Sequence, residues 1–297
     1  MLGWESEQKQ HHNLDELILD DTYKNHWIFL SIVIPVYNEE RTVKSVLETL
    51  PRNRATEIIV VDDHSTDNSL EEVKKVQHHE NIRIIQHKQN MGYGKALLTG
   101  INNSKGKIII TMDSDGQHQA LDLYNLIKPI LKGEADITVG SRYVGSYNYR
   151  LSVFTRVGEA AIEKFILMFF RQKVMNNQGG FRAFHRKTLK IFKEIKFEDY
   201  AFTTELLLKA ALSKYRIKES PIHLLDREHG RSKIILTKLL LNLLLCVGYY
   251  TIQWVNRPYV NKWMIKRMQF FHNLPIYGRY KSIDKIYPTP ERVFVAA

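Results

Sequence analysis

The chain has 297 residues, 44% of them hydrophobic and 25% charged, which is typical of a globular protein with one large core or two small ones. Its single cysteine, Cys246, excludes an internal disulfide and a zinc site built from cysteines, and it is typical of a reducing compartment. The net charge is +11, and residues 257–297 form a basic tail with eight Lys or Arg against two acidic residues. No helix-turn-helix, zinc-finger or RNA-binding motif accompanies this tail. We therefore expect a membrane surface and not nucleic acid as its partner, with a solvated flank as the alternative.

The first segment, residues 1–28, is a polar leader. Residues 1–27 contain six acidic residues and two lysines, and they lack the apolar core of a secretory signal peptide. We expect no signal peptide, and this composition is compatible with disorder.

Residues 30–140 alternate between short apolar runs and helical patterns. The runs are mostly β-branched and lack polar alternation, which is typical of strands buried on both faces. They predict strands at residues 30–35, 57–61, 81–85, 107–112 and 135–139. Apolar spacings of three to four predict helices at residues 40–50, 68–76, 95–103 and 121–131. This alternation predicts an α/β fold with a mostly parallel, doubly wound sheet.

Two amphipathic helices are predicted further along the chain, at residues 151–170 and 234–254. Such helices usually face a core, and lying on a membrane interface is the alternative. The second contains 17 uncharged residues, 239–255, which is short and polar for a membrane span of about 20 residues. We interpret 234–256 as a buried or interfacial helix in preference to a transmembrane helix.

The most informative motif is Asp113-Ser114-Asp115-Gly116-Gln117-His118, which directly follows the apolar run at 107–112. Ligands of open α/β sheets bind at the carboxyl edge of the strands, where both acids would lie. Two close carboxylates repel each other unless a cation lies between them, and a divalent metal that carries a diphosphate fits this requirement. Paired aspartates also occur in solvated turns, so both interpretations stay open at this point.

Polar residues also follow the other predicted strands. The first strand leads into Pro35, Tyr37 and Glu39. Their purely structural interpretation is a loop whose acid lies near a helix N-terminus and stabilises it. After the second strand, Asp63 is a candidate either to cap the next helix or to accept hydrogen bonds from a nucleobase. Lys95 follows a Gly-rich segment that lacks the Walker spacing, yet it could reach a phosphate. Together with the paired aspartates, these strand ends indicate a binding site.

Residues 31–233 resemble the inverting family 2 glycosyltransferases of the GT-A fold. The late motifs resemble in particular the dolichyl- and polyprenyl-phosphate sugar transferases. Besides the three strand ends and the Lys95 loop, the matching segments are Gly140-Ser141-Arg142-Tyr143, Gly180-Phe181-Arg182, Thr204-Glu205 and Arg227-Glu228-His229-Gly230-Arg231-Ser232-Lys233. The resemblance implies a GT-A catalytic domain at 29–233, followed by the helix at 234–256 and the tail.

The resemblance also implies a role for individual residues. Donor nucleotide-sugar binding would involve Pro35, Tyr37, Glu39, Asp63, Ser65, Lys95, Asp113, Ser114 and Asp115. Mg²⁺ or Mn²⁺ would be held by Asp113, Asp115 and Gln117. The phosphates of donor and lipid acceptor would be met by Arg142, Arg156, Arg227, Ser232 and Lys233. Catalytic roles would fall to Asp115, Arg142, Arg227 and Lys233.

The implied reaction transfers a hexose from UDP-glucose, UDP-N-acetylglucosamine or GDP-mannose to a dolichyl or polyprenyl phosphate, with inversion. A phosphate acceptor is already charged and needs no general base. If the acceptor is instead a glycan hydroxyl, a carboxylate base is required, and Asp115 and Glu205 are the candidates. A third hypothesis is a catalytically silent nucleotide-sugar-binding or scaffold protein.

The chain departs from the family where relatives often have Asp-x-x-Ser-Gly-Phe, because it has Asn176 and Gly179 in place of the acid and the hydroxyl. This departure affects the expected contacts near the acceptor phosphate. We expect a peripheral protein on the cytoplasmic face of a membrane, held by residues 151–173, 234–256 and the basic tail.

Overall fold

The structure, a computed structural model, describes residues 28–77, 81–147, 153–198, 201–226 and 236–255. The strands are β1 (Leu30–Val36), β2 (Thr56–Asp62), β3 (Ile82–Gln86), β4 (Ile108–Thr111), β5 (Ile137–Tyr147), β6 (Arg182–His185) and β7 (Ile217–Leu224). The α-helices are α1 (Val43–Thr49), α2 (Ser69–Val76), α3 (Tyr93–Asn102), α4 (Leu123–Leu131), α5 (Val153–Phe170), α6 (Phe202–Leu212) and α7 (Leu236–Val255). The described residues up to Tyr250 form one compact unit, and of the second unit, 251–297, the structure describes only the end of α7.

The strands form one sheet in the order β3-β2-β1-β4-β6-β5-β7. β1 pairs in parallel with β2 and β4, β2 pairs in parallel with β3, and β5 pairs in parallel with β7. β6 runs antiparallel between β4 and β5. The prediction of a mostly parallel α/β sheet of the GT-A type is therefore confirmed. The predicted strand at 135–139 is too short, because β5 continues to Tyr147 along β7.

Helices cover both faces of the parallel part of the sheet. One face of β1, β2 and β4 packs with α1, α2 and α4 in a single apolar cluster that includes Ile32, Ile58 and Ile110. Helix α3 packs on β1 and β2. A Cβ atom at Gly100 would lie 2.2 Å from Val33, so only glycine permits this close approach of helix and strand. The doubly wound prediction thus holds for this half of the chain.

The two helices predicted after residue 150 are α5 and α7. Helix α7 buries Leu243, Cys246 and Tyr250 on one face and exposes Leu241 and Leu244 on another, so its amphipathic character is real. None of the helices that the structure describes is both long and apolar enough to cross a bilayer. The predicted leader and basic tail lie outside the described residues, apart from residue 28.

Asp136 ties the start of β5 to the start of β7. Its carboxylate accepts hydrogen bonds from the Arg216 guanidinium at 2.9 and 3.2 Å and from the Arg216 backbone N–H at 2.8 Å, and Lys187 Nζ lies 2.6 Å away. The carboxylate is buried, whereas both cations are about half-exposed. These bonds, that of the Arg216 side chain first, hold the pKa of Asp136 far below its usual range.

Replacing Asp136 with Asn should lower the free energy of unfolding at pH 7 by about 1–2 kcal/mol, because charge-assisted hydrogen bonds to half-exposed cations are lost. The pKa of Asp136 is depressed in the folded state, so its contribution is present above the unfolded pKa of about 3.9 and decreases as the pH falls below it. Urea unfolding at pH 7 and pH 3 measures both effects. The control Glu134→Gln removes an exposed pair with Lys218 and should change little. An equal difference between wild type and Asp136→Asn at both pH values would contradict this linkage.

Candidate active site

The loop after β4 lies at the carboxyl edge of the sheet. The Met112 N–H donates to the Val33 carbonyl oxygen at 3.1 Å, which keeps the chain in register with β1 up to the start of the loop. Asp113 and Asp115 follow immediately. Because β1, β2 and β4 are parallel, the loops after all three strands meet at this edge, as the sequence predicts.

The Asp113 carboxylate is enclosed on one side by Tyr93 and Gly180. The Tyr93 hydroxyl donates to Asp113 Oδ1 at 2.8 Å. Burial, together with the negative charge of Asp113, raises the pKa of Tyr93 well above its usual value, so the hydroxyl remains a donor. A Cβ atom at Gly180 would lie 2.8 and 2.9 Å from the two carboxylate oxygens. Glycine at this position therefore leaves space beside Asp113.

His118 belongs to the same loop and packs beside Asp113. Its ring lies on Phe181 with centroids 4.8 Å apart, and its Nδ1 is 3.8 Å from Asp113 Oδ2, which is too long for a hydrogen bond. Nδ1 is buried and has no hydrogen-bond partner among the described residues. His118 was not assigned a role from the sequence, although it completes the motif that carries Asp113.

The remaining residues of the loop are fixed by hydrogen bonds to backbone. Ser114 Oγ donates to the Pro35 carbonyl oxygen at 2.9 Å, so Ser114 joins the loop after β4 to the end of β1. Asp115 Oδ1 accepts the Gln117 N–H at 3.1 Å. Gln117 Nε2 donates to the Leu225 carbonyl oxygen at 3.0 Å. This bond uses the amide nitrogen of Gln117, whereas a hard cation binds the amide oxygen.

The loops after β1 and β2 are joined to each other. The Asn38 N–H donates to Ser65 Oγ at 3.1 Å, and the Glu39 N–H donates to Ser69 Oγ at 2.7 Å. Tyr37 and Glu39 are both half-buried beside this junction, and Ser65 contributes to it directly. The predicted donor-binding residues of the two loops therefore lie together.

Asp63 is buried, and its carboxylate holds the Gly-rich turn before α3. It accepts hydrogen bonds from the N–H groups of Met91 and Gly92 at 2.9 and 2.7 Å, and His87 Nδ1 lies 2.6 Å away. The helix-capping interpretation of Asp63 is wrong, because the start of α2 is bonded to Asp67. Asp63 thus shapes the donor end of the sheet from inside.

Lys95 lies in the first turn of α3. Its Nζ is 2.9 Å from Glu198 Oε1, and the neighbouring Gly94 N–H donates to the Glu198 carbonyl oxygen at 3.1 Å. Both side chains of the ion pair are partly exposed. The segment around Glu198 therefore packs directly on the start of this helix.

A second cluster lies where β5 meets α5. Arg142 Nη2 is 2.6 Å from Glu159 Oε1, and the Tyr143 hydroxyl donates to the other oxygen of the same carboxylate. The guanidinium groups of Arg142 and Arg156 lie 5.1 and 4.3 Å from the centre of the Tyr143 ring. Arg156 Nη1 is buried without a hydrogen-bond partner among the described residues. Burial, with a contribution from Glu159, raises the pKa of Tyr143.

Asn176, which departs from the family pattern, and its neighbour Asn177 support this cluster. Asn176 Nδ2 donates to the Gly140 carbonyl oxygen at 2.6 Å on β5. Asn177 Nδ2 donates to the Glu159 carbonyl oxygen at 3.0 Å on α5. The two amides therefore fix the strand and the helix that carry Arg142 and its partner.

Arg182 is a fully buried cation that the sequence did not mark as functional. Its three nitrogens donate to the carbonyl oxygens of Gly179, Asn177 and Thr203 at 2.7–2.8 Å. Burial lowers the pKa of Arg182 to about 10, so the group stays charged at neutral pH. Its positive charge fixes the segment that brings Gly180 against Asp113.

Glu205, one of the two candidate bases, is fully buried on α6. Its carboxylate accepts hydrogen bonds from the N–H groups of Lys196 and Phe197 at 2.8–3.1 Å and from the Tyr250 hydroxyl at 2.5 Å. A carboxylate with these three donors is occupied inside the protein. Three other predicted site residues, Arg227, Ser232 and Lys233, lie outside the described residues.

Comparison with known proteins shows the family to which the chain belongs. Residues 31–192 match the model of glycosyl transferase family 2. The chain is 31% identical over 220 residues to the UDP-N-acetylglucosamine–dolichyl-phosphate N-acetylglucosaminyltransferase of Methanococcus voltae, covering 68% of this chain and 88% of that protein. It is 29% identical over 230 residues to the dolichyl-phosphate beta-glucosyltransferase of Saccharomyces cerevisiae, covering 69% of each.

Among solved structures, the fold is similar to that of glucosyl-3-phosphoglycerate synthase from Mycobacterium tuberculosis. The TM-score is 0.56 at 22% identity, over 74% of this chain and 80% of that one, and that enzyme was solved with Mn²⁺, UDP-glucose and phosphoglyceric acid. The predicted resemblance to dolichyl-phosphate sugar transferases is confirmed by the relatives. The family model covers more than half of the chain. The chain belongs to glycosyl transferase family 2 and is a glycosyltransferase.

Proposed function

We propose that the protein transfers a hexose from a nucleotide-diphospho-sugar to a dolichyl or polyprenyl phosphate, with a divalent metal and with inversion at the anomeric carbon. Its main support is the position of Asp113 and Asp115 at the carboxyl edge, beside the joined loops after β1 and β2. Two relatives of this chain carry dolichyl-phosphate in their names, one with N-acetylglucosamine and one with glucose. The candidate donors are UDP-N-acetylglucosamine, UDP-glucose and GDP-mannose.

The residues present fit Mg²⁺ or Mn²⁺ with a diphosphate. Asp113, Asp115 and the amide oxygen of Gln117 are hard oxygen ligands, and Gly180 leaves space beside Asp113. Among the described residues no group of three or more His, Cys, Asp or Glu could hold a metal, so diphosphate and water oxygens would complete the coordination. Such a metal would stabilise the charge of the departing nucleoside diphosphate. Structures of the mycobacterial synthase hold Mn²⁺ or Mg²⁺ with UDP.

The arginine cluster supports a phosphate acceptor. Arg142 and Arg156 flank Tyr143, and each has one acidic partner, Glu159 at 2.6 Å from Arg142 and Glu163 at 3.8 Å from Arg156. A phosphate monoester carries about −1.5 to −2 charges at neutral pH, and guanidinium groups bind phosphate oxygens bidentately. Arg156 Nη1 is available for such a bond. We assign Arg142 and Arg156, together with Arg227, Ser232 and Lys233, to acceptor phosphate binding.

The mechanism follows from this acceptor. A phosphate oxygen is already charged, so the protein has to position it behind the anomeric carbon and needs no proton acceptor. Tyr37, Glu39 and Ser65 on the loops after β1 and β2, with Pro35 near the end of β1, would hold the nucleoside, and Lys95 would approach the diphosphate. Asp63 would support this site by holding the turn at 91–92 from inside. A hydroxyl acceptor would need a base, and Glu205 is occupied by three internal donors. This leaves Asp115, a proposed metal ligand, and so favours the phosphate.

We also propose that the protein binds a membrane surface peripherally, on the cytoplasmic face. Leu241, Leu244 and Leu245 are 55–63% exposed on α7, and Leu167 and Met168 are exposed on α5. An exposed apolar stripe on an amphipathic helix is typical of helices that lie in the interface of a bilayer. The lipid acceptor would then be presented at the same surface.

The variant Asp115→Asn should lose at least about a hundredfold in kcat, because metal coordination supplies several kcal/mol of transition-state stabilisation. Asn can still accept the Gln117 N–H, so the loop should keep its shape. The assay is transfer of radiolabelled hexose into the organic phase at saturating Mn²⁺. Glu48→Gln, an exposed change on α1, is the control. Unchanged turnover in Asp115→Asn would contradict the proposed role.

The variant Arg156→Gln should raise the KM for lipid phosphate about tenfold and leave the KM for the donor unchanged, because a charge-assisted bond to the acceptor is lost. Lys164→Gln, an exposed cation on the same helix, is the matched control and should change neither value. Steady-state kinetics with a short polyprenyl phosphate measure both constants. A change in the KM for the donor alone would contradict the proposal that Arg156 binds the acceptor phosphate.

Replacing both Leu241 and Leu244 with Gln should weaken vesicle binding about tenfold, since two exposed leucines no longer enter the interface. Sedimentation with vesicles of phosphatidylcholine and phosphatidylserine measures the bound fraction. The control is Met91→Gln, which removes an exposed apolar side chain that lies outside α5 and α7. It should leave vesicle binding unchanged. Equal sedimentation of the double variant and wild type would contradict the proposed surface.

A further inference from the structure

We propose that Glu205 is a positioning residue that connects helix α7 to the turn at the start of α3, and that this connection sets the affinity of the donor site. It rests on the proposed function for the identity of that site. The connection runs from Tyr250 through Glu205 to the segment 196–198, and from there to residues 92–95. Each step is a direct hydrogen bond or ion pair among described residues.

The first step joins α7 to α6. The Tyr250 hydroxyl donates to Glu205 Oε1 at 2.5 Å, and both residues are buried. Burial and the neighbouring carboxylate raise the pKa of Tyr250 well above its usual value, so the hydroxyl keeps its proton and remains a donor. Tyr250 lies on the buried face of α7, whereas Leu241 and Leu244 lie exposed. A shift in the position of α7 would therefore change the hydrogen bond that Tyr250 donates to the Glu205 carboxylate.

The second step joins Glu205 to the segment 196–198. The N–H groups of Lys196 and Phe197 both donate to the Glu205 carboxylate, at 2.8–3.1 Å. A groove of about 440 Å³ lies beside this segment and is lined by Ile195, Lys196, Phe197, Glu198 and Asn242. The segment is therefore open on this side, and its bonds to Glu205 and to residues 94–95 hold it in place.

The third step joins the segment to the donor site. Glu198 accepts the Gly94 N–H through its carbonyl oxygen at 3.1 Å and pairs with Lys95 through its carboxylate at 2.9 Å. A Cβ atom at Gly94 would lie 2.3 Å from the Glu198 carbonyl oxygen, so the two segments are in tight contact. The same turn carries Tyr93, whose hydroxyl donates to Asp113.

The hydrogen bonds of Glu205 thus explain why a carboxylate is buried at this position without a role as a catalytic base. It receives donors from α7 and from a segment that holds the turn against the proposed metal ligand Asp113. Loss of one donor would loosen residues 196–198 first and the turn at 92–95 next. The expected consequence is weaker binding of metal and nucleotide without loss of the sheet.

The test compares Tyr250→Phe with Tyr249→Phe in the full chain. The first removes only the hydroxyl that bonds Glu205, and the second removes the hydroxyl of the neighbouring tyrosine, which is 39% exposed. Hydrogen–deuterium exchange with mass spectrometry should show about tenfold faster exchange at residues 196–198 in Tyr250→Phe, as expected for the loss of one bond to a carboxylate. In the same variant, exchange at 92–95 should rise at least about twofold, while exchange in β2 stays at the wild-type rate. In Tyr249→Phe, exchange should stay at the wild-type rate in all of these segments.

A second measurement determines the effect on the donor site. Calorimetric titration with UDP or GDP in the presence of Mn²⁺ should show about threefold weaker binding to Tyr250→Phe than to wild type, and wild-type affinity for Tyr249→Phe. Glu205→Gln should act in the same direction and more strongly, because its amide nitrogen faces backbone donors.

The outcomes separate the two proposals. Unchanged exchange at 92–95 in Tyr250→Phe, or faster exchange there with unchanged nucleotide affinity, overturns the connection. Failure of wild type to bind either nucleotide contradicts the proposed function and, with it, the effect on donor affinity, while the exchange data still decide whether the connection exists. Faster exchange across the whole sheet would show a general loss of stability and would also overturn the connection.

Discussion

A buried carboxylate is unfavourable unless hydrogen-bond donors or cations surround it, and a neighbouring carboxylate adds repulsion. This protein surrounds its carboxylates in two ways. Asp63, Glu205 and Asp136 are buried, and each receives several hydrogen bonds from the protein itself. They shape the Gly-rich turn, the 196–198 segment and the junction of β5 with β7. Asp113, half-buried, and Asp115, buried, lie at the carboxyl edge of the sheet, and there a cation and a diphosphate would complete the balance of charge in the proposed reaction.

The two halves of the sheet make this arrangement possible. The parallel strands β1, β2 and β4 bring three loops to one edge, and they account for the proposed donor site. Strand β6 runs antiparallel next to β4 and joins this half to β5, which carries Arg142. Arg182 on β6 is held by three carbonyl oxygens, and its segment brings Gly180 against Asp113. The residues proposed to bind the donor and those proposed to bind the acceptor thus belong to different halves of the structure that share one sheet.

The sequence predicted the first half of the fold better than the second, for a physical reason. Strands β1, β2 and β4 are β-branched and buried on both faces, so their apolar runs are plain. Strand β6 was missed because it is only four residues long and begins with a charged residue, Arg182, whose burial depends on the Thr203 carbonyl oxygen 21 residues away as well as on its near neighbours. Strand β7 was missed because it lies at the edge of the sheet and contains the polar run Lys218–Ser220 followed by Pro221, so neither an apolar run nor a regular alternation marks it.

The same distinction applies to the site. Asp113 and Asp115 could be predicted because their position after an apolar run fixes where they lie in a parallel sheet. The partners of Asp63 and Glu205 could not be predicted, because Met91 and Tyr250 are 28 and 45 residues away along the chain. Spacing alone does not distinguish a buried structural carboxylate from a catalytic one. Nor does it show that Arg142 pairs with Glu159 on the following helix.

The chemistry of the product is the most direct test of the proposed reaction. Purified protein would be incubated with Mn²⁺, a short polyprenyl phosphate and labelled UDP-N-acetylglucosamine, UDP-glucose or GDP-mannose, and the organic phase would then be treated with mild acid. The account predicts that one donor labels the lipid and that mild acid releases the sugar, because a glycosyl phosphodiester is labile to acid. Label that resists mild acid, or that enters only a glycan acceptor, would contradict transfer to a lipid phosphate.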